Sequence, residues 1–234
     1  MRVGATLLLL DGYCYQSYNW QILRPLGKLQ NAVDILEQYQ CDEISIIRPI
    51  RDKDDKTFLN DIKTVANLKS LTPISFGGGL RSQEHIDMLH KLPIERLIFS
   101  TPFIEQNTQL LQYAKSRFGN QAIQALLPFK ELNNQIYIFH SANNSFIPLE
   151  QIDISFIDKY ANEVILFDTK HEGDKNHFYR DILNKIDIPN HKIIISGGIG
   201  KDDIKFAQNN NLASVAIENK VLHTEYSIKE YKNG

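Results

Sequence analysis

Asp168, Lys170, His171 and Glu172 fall within five positions, directly after the apolar run Val164–Phe167. Carboxyls and an imidazole this close together could move protons, with Asp168 or His171 as the carrier, because histidine titrates nearest to neutral pH. The competing reading is a solvated, charge-rich loop, since loops vary freely. A second kind of chemistry is offered by two glycine turns, "FGGGLRS" and "SGGIGKD". After a strand, the backbone amides of Gly78, Gly79, Gly197 and Gly198 can approach an anion such as phosphate. For either turn alone, glycine that merely makes the bend is an equal reading. The pair favours phosphate, as two sites or as one ligand with a phosphate at each end. Ser100 and Thr101, after the next run, could add donors to the first site, and Asn219 and Lys220 sit likewise after the last run. Cys14 and Cys41 have neither metal-pair spacing nor the number for a disulfide framework; neither a metal nor a cofactor is expected.

These residues need elements to hold them. Eight short apolar runs have strand length: Thr6–Leu10, Ile44–Ile47, Pro73–Phe76, Arg96–Phe99, Ala122–Leu127, Val164–Phe167, Lys192–Ile195 and Ala213–Ile217. Helical periods lie between them, as in Leu29, Ala32, Val33, Leu36, then Phe58, Ile62, Val65, Ala66, and Leu110, Leu111, Ala114, Phe118. Ser82 reads as a helix N-cap and Gly119 as a residue just past a helix end. Continuous apolar strands imply a parallel sheet covered on both faces, and eight such units predict one α/β domain over 1–234, a (β/α)8 barrel. A doubly wound sheet is the alternative. The stretches "PISFGGGLRSQEHI" and "IIISGGIGKDDIKF" share a strand, paired glycines and a Ser or Asp cap, with Gly77 and Gly197 120 positions apart. That is the mark of a barrel built from two similar halves. The stretch Asn133–Ile152 reads as an extra hairpin beside the mouth.

The 42% hydrophobic content suits a full core, and a net charge of −2 argues against nucleic acid or a membrane surface as a partner. Leu7–Leu10 is too short for a targeting segment, and a reducing cytoplasm is the expected home.

"NWQILRPLG", "NAVDILEQYQCDEISII", "FGGGLRSQEHI", "RFGNQAI", "NEVIL" and "SGGIGKDD" resemble the cyclase subunit family of imidazole glycerol phosphate synthase along essentially the full length. "CDEISII" is most similar to the branch associated with glycosyl amidation in surface-polysaccharide synthesis, the WbuZ type. The resemblance implies a half-repeat barrel that pairs with a glutaminase and binds a phosphorylated small molecule. It also implies two catalytic acids at strand ends, and those positions hold Leu8 and Pro128 here, with Gln16 at a lysine position and Arg48 at a further aspartate. Asp11, three residues late, is a weak substitute. By the same resemblance Arg2, Glu43, Arg96 and Glu163 form a charged ring through which ammonia enters, and Glu95 belongs to the glutaminase interface. Composition alone would make these ordinary solvated strand starts. The expectation is therefore an ammonia-conducting, cyclase-like subunit serving a sugar amidotransferase. The alternatives are a diverged cyclase of histidine biosynthesis (a lyase), a phosphosugar enzyme using Asp168–Glu172, or a non-catalytic phosphate-binding scaffold. Arg48, Arg51 and Lys130 are further candidates for holding an anion.

Overall fold

The computed structural model describes residues 1–18, 20, 22–51, 56–173, 178–218, 222, 228 and 232. Strand β1 (Arg2–Leu10) runs into an antiparallel hairpin, β2 (Tyr13–Tyr18) and β3 (Ile22–Lys28), then α1 (Leu29–Gln38) and β4 (Ile44–Ile47). The chain continues through α2 (Phe58–Ala66), β5 (Ile74–Gly77), α3 (Gln83–Leu89), β6 (Arg96–Phe99), α4 (Thr101–Ile104) and α5 (Thr108–Phe118). A long β7 (Ile123–Leu132) leads into the meander β8 (Gln135–His140) and β9 (Ser145–Pro148), the extra hairpin expected there. Then come α6 (Ile154–Tyr160), β10 (Glu163–Asp168), β11 (Ile193–Ser196), α7 (Lys201–Asn209) and β12 (Ser214–Glu218).

The eight apolar runs become eight parallel strands in the closed order β1-β4-β5-β6-β7-β10-β11-β12, with β12 returning to β1. This is a (β/α)8 barrel, with every parallel strand's C-terminal end at one mouth. Period-2 alternation sorts the leucines of β1. Leu7 and Leu9 face outward into the main core beneath the helices, while Leu8 belongs to a second cluster on the axis with Ile47, Ile98, Leu126, Ile165, Phe167, Ile194 and Ala216. Burying each such side chain contributes about 1.5–3 kcal/mol.

Helix α1 buries Leu29, Ala32, Val33 and Leu36, the stripe its spacing predicts. Ser82 caps α3 by accepting a hydrogen bond from the His85 amide at 3.3 Å, and Gly119 ends α5 at φ 88°. The second repeat differs from expectation at its cap. Gly200 is the N-cap of α7, and Asp203 reaches back to accept from its amide at 2.9 Å. The strands also move the repeat's register by one residue. β5 ends at Gly77 and β11 at Ser196, so Gly78 and Gly79 (φ 95° and 76°) match Gly197 and Gly198 (φ 92° and 69°).

Candidate functional site

A cavity of about 840 Å³ opens at the mouth. Its floor and walls are apolar, from Leu8, Ile47, Ile98, Leu126, Pro128 and Phe139. Trp20, the only tryptophan in the chain, packs its ring 5.5 Å from Phe139 and 5.4 Å from Phe167. At one side the cavity meets Gly78, Gly79, Ser100 and Thr101, four of the residues expected to bind phosphate. Arg81, which the sequence reading overlooked, joins them. Nη1 and Nη2 of Arg81 and Oγ of Ser100 are buried without a hydrogen-bond partner among the described residues. Buried donors normally find an acceptor. Their convergence beside a glycine turn is what an anion would satisfy. The missed signal was an arginine two residues beyond that turn.

Arg48 does different work. It is 1% exposed, donates from Nε to Asp61 Oδ2 at 2.7 Å, from Nη2 to Thr57 Oγ1 at 3.0 Å and from Nη1 to the Gly78 carbonyl at 3.1 Å. Asp61 also accepts from the Gly12 amide at 2.8 Å. This network fixes the first glycine turn, so Arg48 is committed to the framework. Arg51 lies over the Trp20 and Phe139 rings at 5.7 and 5.6 Å, and Lys130 sits 3.8 Å from the Phe146 ring centre.

The second glycine turn is built alike and furnished differently. A Cβ on Gly78 would lie 2.1 Å from the Arg48 carbonyl oxygen, and one on Gly197 would lie 2.3 Å from that of Asp168. Asp168 is buried and accepts from the Lys170, His171 and Tyr179 amides, with His171 Nδ1 2.7 Å from its Oδ2. Lys170 pairs with Glu131 at 3.0 Å. Glu172 accepts from Ser17 Oγ at 2.7 Å and the Trp20 amide at 2.9 Å. Burial, and next the neighbouring Glu218, push its carboxyl up to about 7. Glu218 accepts from the Gly198 amide at 2.7 Å and the Gly173 amide at 2.8 Å. Asn219 and Lys220 lie outside the described residues.

Leu8 and Pro128 line the cavity floor. Gln16 is buried, and Asp11 is exposed in its turn, where it accepts from Asn60 Nδ2 at 2.7 Å. Cys14 and Cys41 are buried, and burial pushes both thiols up to about 12, which leaves them unreactive. Among the described residues no cluster of His, Cys, Asp or Glu could hold a metal, and no helix is long and apolar enough to cross a membrane.

At the opposite end, where the parallel strands start, Arg2, Glu43, Arg96 and Glu163 meet. Arg96 Nη1 and Arg2 Nε each lie 3.1 Å from Glu43 Oε2, and Arg2 Nη2 pairs with Glu163 Oε1. Gln124 Nε2 donates to Glu163 at 2.9 Å and Ser214 Oγ to Glu43 at 2.6 Å. Burial would lower the Arg2 pKa, but the carboxylates of Glu43 and Glu163 outweigh it and hold the guanidinium above its ordinary value. Glu95 is exposed beside this ring.

The model of the histidine biosynthesis protein family matches residues 15–227. The chain belongs to that family. It is 25% identical to "Imidazole glycerol phosphate synthase subunit HisF" of Natranaerobius thermophilus over 99% of this chain and 94% of the relative. Identity is 28% to the subunit of the same name from Sulfolobus acidocaldarius, over 86% and 82%. It is 24% to "Putative imidazole glycerol phosphate synthase subunit hisF2" of Campylobacter jejuni, over 86% and 80%. Membership in the histidine biosynthesis family agrees with the barrel and its paired glycine turns.

Proposed function

We propose that this chain is a barrel subunit of the imidazole glycerol phosphate synthase cyclase type that pairs with a glutaminase and conducts ammonia. Its client is an enzyme that amidates a sugar for surface polysaccharide. The observation that carries this reading is the ring of Arg2, Glu43, Arg96 and Glu163 beneath an apolar axis. Buried carboxylates cost several kcal/mol unless paired, and here each faces an arginine, so the ring can close the barrel's foot and still part along its ion pairs. Ammonia must stay unprotonated to remain a nucleophile, and Leu8, Ile47, Ile98, Leu126 and Ile165 offer it a path with no titratable group. Glu95 supplies a carboxylate for the glutaminase interface. At the mouth, Leu8 and Pro128 stand where the resembling cyclases carry acids. Neither can transfer a proton, so the cyclase reaction is not run there. The mouth instead holds a phosphorylated ligand through Gly78, Gly79, Ser100, Thr101 and Arg81.

The test is a complex reconstituted with a glutaminase subunit and a sugar amidotransferase as client. Arg96→Ala should leave glutamine hydrolysis intact and uncouple it from aminated product. Full coupling in that variant would overturn the gate.

One observation favours a second reading, a diverged cyclase of histidine biosynthesis. Glu172, titrating at about 7 and bonded to the cavity-lining Ser17, is poised to shuttle a proton near neutral pH. Rescue of a histidine auxotroph lacking the cyclase, and loss of that rescue in Glu172→Gln, would establish it.

A further inference from the structure

The strand ladders give the two halves an exact residue correspondence across the mouth. In the first half Ser75 of β5 pairs with Arg96 of β6, and in the second Ile194 of β11 pairs with Ser214 of β12. Four residues further along stand Ser100, just past the end of β6, and Glu218, the last residue of β12, both beside their half's glycine turn. Ser100 is short, its hydroxyl has no partner among the described residues, and Gly79 lines the open cavity next to it. Glu218 is longer, only 4% exposed, and its two oxygens accept from the amides of Gly198 and Gly173. A carboxylate that takes two converging backbone amides occupies the position an oxyanion of phosphate would take.

The charges around the turns differ in the same sense. Arg48, Lys56 and Arg81 line the cavity on the first side, while Arg51 lies over Trp20, between the two sides, where its charge reaches Glu172. On the second, Asp168, Glu172 and Glu218 are all buried carboxyls. The glycine turn Gly197–Gly198 does not line the cavity, whereas Gly78–Gly79 does.

We infer that Glu218 is a built-in anion that fills the second glycine turn, so that the barrel takes ligands with a single phosphate, seated at Gly78–Gly79, Ser100 and Arg81, and rejects those with a phosphate at each end. The inference deepens the proposed function and rests on its phosphate reading of the first turn. A second phosphate would have to displace a buried carboxylate from two hydrogen bonds and then lie beside Glu172 and Glu218, which like-charge repulsion opposes. The rest of the ligand lies on Leu8, Ile98, Leu126, Pro128 and Trp20, a surface suited to an uncharged body.

Inorganic phosphate binding to the full chain, followed by calorimetry and by Trp20 fluorescence, tests this. The wild type should bind one equivalent. Arg81→Ala should weaken it at least tenfold, and Glu218→Ser, which copies the first half's residue, should bind two. Fructose 1,6-bisphosphate should bind Glu218→Ser at least tenfold more tightly than the wild type, and fructose 6-phosphate should bind both alike. Two equivalents on the wild type, or undiminished binding in Arg81→Ala, overturns the inference without needing the Glu218 variant to fold. So does a folded Glu218→Ser that still takes one. A wild type that binds none while Glu218→Ser binds one upholds Glu218 as the filling anion and instead removes the first-turn site from the proposed function.

Discussion

The two halves of this barrel share a backbone and differ in charge. Under the first glycine turn lies a buried arginine, Arg48, held by Asp61, and under the second, at the matching end of β10, lies a buried aspartate, Asp168, held by three amides and His171. Both turns need glycine for the same reason, a positive φ pressed against the neighbouring strand's carbonyl. The difference teaches that a repeat can keep the steric frame of a binding turn while one half fills it from within. Frame and occupancy are separable, and substitutions can probe each.

The largest effect is expected at Asp61. Asp61→Ala leaves the Arg48 guanidinium buried without its carboxylate and should cost about 3–5 kcal/mol in urea unfolding. Gly78→Ala and Gly197→Ala should each cost about 2–4 kcal/mol, from a strained φ and an overpacked Cβ. Unequal losses, by more than about 1 kcal/mol in the same measurement, would break the claim that the frames are equivalent.

Glu172→Gln sharpens the anionic side. The folded carboxyl titrates at about 7, above the ordinary 4.5, so the folded state keeps its proton longer than the unfolded chain does. Wild-type stability should therefore fall as pH rises from about 4.5 to 7, with the full penalty above 7 and none below 4.5. That penalty is about 3 kcal/mol, at about 1.4 kcal/mol per pH unit. Glu172→Gln should flatten the slope, and parallel pH profiles for the two proteins would place the carboxyl in an ordinary range. The smallest stability effect belongs to Arg81→Ala, under about 0.5 kcal/mol, because its terminal nitrogens hold no described partner. A larger loss in thermal melting would make Arg81 a structural residue rather than an anion ligand.

The barrel was legible in the sequence because all eight strands are buried on both faces and read as apolar runs. The β2–β3 hairpin was not. Ile22 to Pro25 are exposed and carry no buried period, so nothing in their pattern marks a strand. Of the residues proposed to bind phosphate, the glycines and Ser100–Thr101 could be read from their place after strands. Glu218 could not, because a carboxylate at a strand end looks solvated until the inward parity of Ser214 and Ala216 is followed one step further. Asp61 was hidden in the same way, on the buried stripe of α2 between Phe58 and Val65. The ring at the foot was legible only through family resemblance, since Arg and Glu at strand starts are common.

Closure of the ring joins chain positions that are far apart, Arg2–Thr6 of β1 against Ser214–Glu218 of β12. Such non-local pairing is slow to form, because the loop entropy must be overcome before the contacts reward it. During synthesis, at about 5–20 residues per second, the first strand waits roughly 10–40 s for the last one to emerge. Its Val3–Thr6 backbone is a bare, apolar strand edge in that interval, the kind that recruits other chains. The β2–β3 hairpin pairs at once with Leu8–Leu10 and covers the upper end. The lower end, with Arg2, has no such cover until Ser214 arrives, so the edge left open longest is the one that later carries the charged ring.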